Sequence, residues 1–372
     1  MNVIFIIGIF ISVFQFVLLA NKKSKSLPDK ILAVWMLVIG IHLTSYYLSL
    51  LGYWVKYPHL VGITAPFPLL YGPMLYLYTL YSLKNTQNLQ KRDYIHFAPF
   101  ILAYLYLFRF FFFYTAEQKR LVDSGEMDDF KTFSIAMVIA FMISGISYSI
   151  LAYGLLNKYK HLINNNFSYT ENINLNWLKY CIWGTGLIFI TVVVIVVPRD
   201  LMGFQYRFNA DLIFYAMFII AILTLGYFGI RHQNLFTDNI VLEEEVQSKS
   251  EYQKSGLKEN DAMEKHRALV KLMKDEKPYL QSKLTLHGLA TLLETSPNHL
   301  SQIINQYEKQ NFNDFVNSYR IQEFIARAST NDQYSLLAHA LDSGFNSKST
   351  FNSVFKKQKG CTPSQFIAKL KK

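Results

Sequence analysis

Gly344-Phe345-Asn346-Ser347-Lys348-Ser349-Thr350-Phe351-Asn352-Ser353-Val354-Phe355-Lys356-Lys357-Gln358-Lys359-Gly360-Cys361-Thr362-Pro363-Ser364-Gln365-Phe366 is the stretch on which the reading of this chain turns. Gly344-Phe345 predicts a tight turn after a short helix. Asn346 or Ser347 can cap a new helix, because a short polar side chain satisfies the free N–H groups at a helix start. Phe351, Val354 and Phe355 then recur at i, i+3 and i+4, the spacing of one buried helical face. The opposite face carries Lys348, Ser349, Asn352, Ser353 and Lys356, short, polar or cationic as a helix in a DNA groove needs. Gly360 stops the helix. Thr362-Pro363 caps and opens another, with proline at the first helical position. From Lys348 to the last residue there are seven lysines and no acid.

Working back from there, the same pattern occurs once more. Thr285–Glu294 reads as a short amphipathic helix with Leu286, Leu289, Ala290 and Leu293 inward. Thr295 makes a turn, and Ser296-Pro297 caps a second helix reaching Tyr307. Its inward set is Leu300, Ile303, Ile304 and Tyr307; Asn298, Ser301, Gln302 and Asn305 face out. Two short helices joined by a tight turn are a helix-turn-helix, whose second helix enters the major groove. Phe312–Ala328 is a longer helix with Phe312, Phe315, Val316, Tyr319 and Phe324 apolar. Ser335–Ser343, Gly344 and Asn346–Lys359 then form the second helix-turn-helix.

Gly344-Phe345-Asn346-Ser347-Lys348-Ser349, Phe351, Phe355-Lys356-Lys357, Gly360 and Thr362-Pro363-Ser364 resemble the AraC/XylS-type DNA-binding domain, and the resemblance covers Tyr279–Lys372. It implies a bacterial transcription regulator with two helix-turn-helix units joined by a long helix. One departure is His339, beside Ala340, where the family usually has an aliphatic residue. The first recognition helix has neutral outward residues and no Arg. Asn and Gln can pair with adenine edges, and Ser with several bases. Phosphate contacts are therefore expected from Arg320, Arg327, Lys348, Lys356, Lys357 and Lys359. Base or backbone contacts are expected from Asn298, Ser301, Gln302, Asn305, Asn346, Ser349, Asn352 and Ser353.

The rest of the chain is of another kind. Its 372 residues are 51% hydrophobic and 16% aromatic, too apolar for an ordinary soluble protein. Seven apolar stretches, approximately Val3–Ala20, Ile31–Leu51, Leu60–Leu83, Tyr94–Tyr114, Phe133–Leu156, Trp177–Val197 and Leu212–Ile230, approach the roughly 20 residues that cross a bilayer. The first has no basic n-region and is followed by Asn21-Lys22-Lys23, which predicts a retained anchor and not a cleaved signal. Loops 21–30, 84–93 and 157–176 carry 9 Lys/Arg, against 6 in loops 52–59, 115–132 and 198–211, which have the same total length. This bias places the N-terminus outside and the C-terminus in the cytoplasm of a bacterial inner membrane. The third stretch contains Pro66, Pro68 and Pro73, each able to kink a helix. With Gly226-Tyr227-Phe228-Gly229-Ile230-Arg231, it also resembles the seven-helix sensor halves of some AraC-type regulators.

The expected fold is all-α: a seven-transmembrane-helix bundle at 1–231, a linker with an amphipathic helix at 232–278, and the cytoplasmic DNA-binding domain at 279–372. Arg109 and Lys179 lie near span ends, where they can snorkel; His42 and His96 read as satisfied core groups. Cys181 and Cys361 are far apart and indicate neither a disulfide framework nor a metal site. There is no HExxH, no Gly-rich phosphate loop and no complete nucleophile elbow, so neither an enzyme nor a cofactor is expected. The partners expected are promoter DNA, membrane lipid, RNA polymerase, a small-molecule or envelope signal, and a second copy of the chain. The rival is a seven-helix receptor or transporter whose tail is a protein-interaction module. The capped Thr-Pro ending and the outward Lys/Asn/Ser pattern argue against it.

Overall fold

The computed structural model describes residues 2–84, 86, 88–168, 176–201, 203–204, 206, 211–231, 259–330 and 333–370. The linker at 232–258 lies outside them. The fold is all-α, 82% helical, and among the described residues it has sixteen helices and no strand. The chain divides into two compact units. One comprises 1–157 and 175–237, the other 158–174 and 238–372. Residues 158–174, which the hydropathy pattern assigns to a loop between spans, thus belong with the C-terminal unit.

The first unit contains α1 (Asn2–Ala20), α2 (Leu27–Leu50), α3 (Tyr53–Lys56), α4 (Pro68–Ser82), α5 (Ala98–Phe113), α6 (Ala116–Ser124), most of α7 (Lys131–Asn166), α8 (Asn176–Val196) and α9 (Asp211–Arg231). Every one of the seven apolar stretches contains a helix. Among the described residues, five helices are long and apolar enough to cross a membrane, and Ala216–Gly229 is a shorter apolar one. The third stretch is the exception to the expected length. Its N-terminal part forms turns, and α4 begins only at Pro68, with Pro73 inside. Proline lacks a donor and disfavours helix in the residue before it. Leu69–Leu75 and Leu77–Tyr81 are all buried, so α4 is wrapped by protein, where a helix break in an apolar medium can be tolerated.

Elsewhere the outer faces are apolar: Phe10, Leu102, Phe112 and Ile150 are all more than 60% exposed. The run Phe108–Tyr114 splits by face. Phe108, Phe112 and Phe113 point outward, while Phe110 packs with Val61, Leu107 and Phe130. Two histidines and one lysine of the apolar helices have partners. His42 Nδ1 lies 2.5 Å from the Tyr71 hydroxyl and His96 Nδ1 2.8 Å from that of Tyr148. Lys179 stands over the Trp183 ring at 4.6 Å.

In the second unit, α10 (Glu259–Asp275) leads into α11 (Leu286–Leu292), α12 (Pro297–Ile303), α13 (Phe312–Thr330), α14 (Leu336–Asp342), α15 (Lys348–Lys359) and α16 (Pro363–Leu370). There are two separate hydrophobic cores. Leu269, Met273, Leu289, Leu300 and Ile304 close on Phe312, Phe315 and Val316. Ala340, Phe345, Phe351, Phe355 and Ile367 close on Ile321, Phe324 and Ala328. One helix, α13, thus contributes its first half to one core and its second half to the other.

Candidate nucleic-acid interface

Each short helix is set by a local cap. The Thr285 hydroxyl accepts from the Gly288 N–H at 3.0 Å and starts α11. The Ser296 hydroxyl accepts from the His299 N–H at 3.2 Å and, with Pro297, starts α12. Between them Glu294 takes a left-handed backbone, φ 49°. Beyond Ile303 the helix widens into a π-turn, Ile304–Glu308. Leu300, Ile303 and Ile304 are fully buried, which leaves Asn298, Gln302 and Asn305 exposed in one row and Ser301 half-buried among them. The Asn305 amide donates weakly to the Ser301 hydroxyl, at 3.4 Å.

The second pair repeats the construction. Ser335 caps α14 through the Ala338 N–H. His339 is buried and meets the Tyr334 ring edge-on, so the ring fills the place of an aliphatic side chain. Of the two cap candidates for α15, Ser347 accepts from the Thr350 N–H, while the Asn346 amide donates to the Ser282 carbonyl at 3.2 Å. Phe351 and Phe355 go inward and Val354 is half-buried beside them. Lys348, Ser349, Asn352, Ser353 and Lys356 are exposed. Gly360 ends the helix with φ 73°. Thr362 and Gln365 then bond reciprocally, each side chain to the other's N–H, at the start of α16.

The cations divide into groups. Among the described residues, Lys348, Lys356 and Lys359 enter no ion pair, although Lys359 also stands over the Phe366 ring at 5.9 Å. Lys357 reaches Asp314 at 2.7 Å and ties α15 to α13. Arg327 pairs with Glu323 at 2.8 Å and is 37% exposed. Glu323 also accepts from Lys277 and from the Tyr279 hydroxyl. Burial alone would raise the Glu323 carboxyl. The bonds from Lys277, Arg327 and Tyr279 outweigh that and hold it below its ordinary value. Burial, followed by the charge of Glu323, pushes Tyr279 up to about 12.

Arg320 must be removed from the expected phosphate contacts. It is 1% exposed, at the middle of α13 between the two cores. Nε donates to the Tyr279 carbonyl at 2.8 Å. Nη2 donates to Gln281 O at 2.8 Å and to Ser168 Oγ at 3.0 Å, and Nη1 donates to Ser168 O at 3.1 Å. The guanidinium also stands 5.9 Å from the Phe345 ring centroid. A buried charge held by this many acceptors would have to abandon them to reach a phosphate. A signal for this exists in the chain: Val316, Arg320 and Phe324 are four apart, so Arg320 shares the buried face of α13.

The residues not foreseen are Phe167, Ser168 and Asn313. Phe167 is 2% and Ser168 1% exposed. Phe167 forms an antiparallel bridge with Thr285, and the Ser168 N–H donates to Leu284 O at 3.2 Å. The Asn313 amide donates to Phe167 O at 2.9 Å.

A family model described as a helix-turn-helix domain matches residues 289–369. No curated protein and no solved structure matches the chain. The matched residues run from α11 into α16 and contain both recognition helices. The matched residues, less than a quarter of the chain, are thus similar to an AraC-type helix-turn-helix domain, and this supports a DNA-binding role in transcription regulation.

Proposed function

We propose that the chain is a membrane-bound, sequence-specific regulator in which the N-terminal unit senses a signal and sets promoter occupancy by the C-terminal domain. One observation carries the reading. The chain that bears two capped recognition helices also bears, among the described residues, five helices long and apolar enough to cross a bilayer, with large apolar side chains on their outer faces. The Lys/Arg bias of the loops supports an N-terminus outside and a C-terminus in the cytoplasm. The grouping of 158–174 with the DNA-binding domain agrees with that orientation, because α8 and α9, two crossings, separate this segment from residue 238. Seven spans remain the count we favour.

The DNA-contact set is Asn298, Ser301 and Gln302 on α12, Asn305 in the π-turn that follows it, and Lys348, Ser349, Asn352, Ser353 and Lys356 on α15. Asn346, Lys357, Lys359 and Arg327 flank it. The two units should read adjacent major-groove segments about one helical turn apart. The signal, a small molecule or an envelope component, acts by binding the two states of the protein with different affinity. RNA polymerase and a second copy of the chain are further partners of such a regulator.

The test uses the full chain in lipid nanodiscs and duplexes from upstream of its own gene. Sequence-specific binding that weakens steeply with salt, as phosphate contacts demand, supports the reading. Binding to no duplex, or binding indifferent to salt, overturns it.

A further inference from the structure

The surface formed by Leu284-Thr285, Asn313 and Arg320 is a slot for an extended peptide, and the chain fills it with its own Phe167-Ser168. The recognition is that of an added strand: backbone pairing on one side, side chains closing the other. Ser168 is bound through every polar atom. Its N–H and hydroxyl both donate to Leu284 O, at 3.2 and 2.7 Å. The same hydroxyl accepts from Arg320 Nη2, and the Ser168 carbonyl accepts from Nη1. Asn313 holds the Phe167 carbonyl and is itself held by the Asn317 amide at 3.0 Å.

Arg320 is the joint of the domain. It binds the 279–282 segment beside the first core, touches Phe345 of the second, and lies on the helix that the two share. Asn346, at the turn before α15, adds a bond to Ser282. Ser168 thus binds at the point where the two halves of the domain meet. Ser168 is two residues beyond α7, a single helix whose residues 131–157 belong to the sensor unit.

We infer that the Phe167-Ser168 strap, clamped by Arg320, is the connection through which the sensor unit sets the relative orientation of the two DNA-reading units. Arg320 is accordingly a positioning residue. Docked, the strap fixes the spacing at which both recognition helices can engage DNA. Withdrawn, it leaves the two units free to rotate about α13. This inference rests on the function proposed above.

The probe is a duplex selected from a random library by the full chain in nanodiscs, with a second duplex whose central spacer is longer by about half a helical turn, about five base pairs. The native chain should favour the first duplex strongly. Ser168→Ala removes the hydroxyl but keeps the backbone bonds. It should weaken binding to the first duplex about tenfold, the worth of one charge-assisted hydrogen bond, and bring the two affinities together. Asn313→Ala should do the same, while Ser168→Thr, which restores a hydroxyl, should behave as the native chain. Hydrogen exchange without DNA should show faster exchange at 279–285 in Ser168→Ala, with the core of α13 still protected. Unchanged spacing preference in both alanine variants, or unchanged exchange at 279–285, overturns the inference while leaving the regulator reading intact. A native chain that selects no duplex overturns both.

Discussion

At the scale of single residues, the domain depends on a few positions that admit one solution. Gly344 has φ 94°, and a Cβ there would lie 2.3 Å from the Tyr279 carbonyl and 3.0 Å from Arg320 Nε. A left-handed backbone alone costs an L-residue about 1–2 kcal/mol, and the carbonyl cannot retreat without releasing Arg320. Gly344→Ala should therefore destabilise the domain by more than about 2 kcal/mol, read as a lower denaturant midpoint. Glu323 gives a prediction about acidity. Its folded-state value lies below the ordinary 4.5. Its contribution is thus complete above that value and disappears as pH falls through the lower, folded one. Stability should decline on acidification below about pH 4.5, and Glu323→Gln should flatten that decline in a pH series of thermal unfolding.

At the scale of elements, the two recognition helices differ in what they offer DNA. Helix α12 presents amides and a hydroxyl with no cation, whereas α15 mixes Asn352 and two serines with lysines. Asn352→Ala should relax base preference at one or two positions, costing about 1–3 kcal/mol at the preferred site. Lys356→Ala should weaken all sequences alike and reduce the slope of log affinity against log salt by about one. A selected-library readout separates the two effects. These helices were legible in the sequence because their determinants are local: Ser296-Pro297, Gly360 and Thr362-Pro363 each act within one turn. The shortening of α4 was less so, since three prolines mark a disturbance without saying where the helix resumes. Arg320 was misread because a cation on a helix of a DNA-binding domain looks like a phosphate ligand. Only its spacing from Val316 and Phe324 points inward.

At the scale of the whole molecule, composition marked a long apolar part and the capped helix pairs a helix-turn-helix domain, but neither said where the chain divides. The pairings that bring 167–168 into the second unit span 116, 146 and 152 residues, and no periodic pattern marks such distant partners. The proposed orientation is open to a labelling test. In intact cells, a membrane-impermeant maleimide should modify Asp123→Cys, which is exposed in the loop 115–132. The native Cys361 should react only after the cells are opened. Labelling of Cys361 in intact cells would reverse the assigned sides. The long pairings also bear on biogenesis. The ribosome makes Ser168 152 residues before Arg320, and α8 and α9 are synthesised in between. In the proposed topology, the DNA-binding domain thus cannot complete its fold until both helices have been placed and the chain has returned to the side where the strap waits. A copy with one of them misinserted keeps its recognition helices yet loses the two bonds that Ser168 makes to Arg320, so in the proposed topology assembly in the bilayer is a checkpoint for promoter competence.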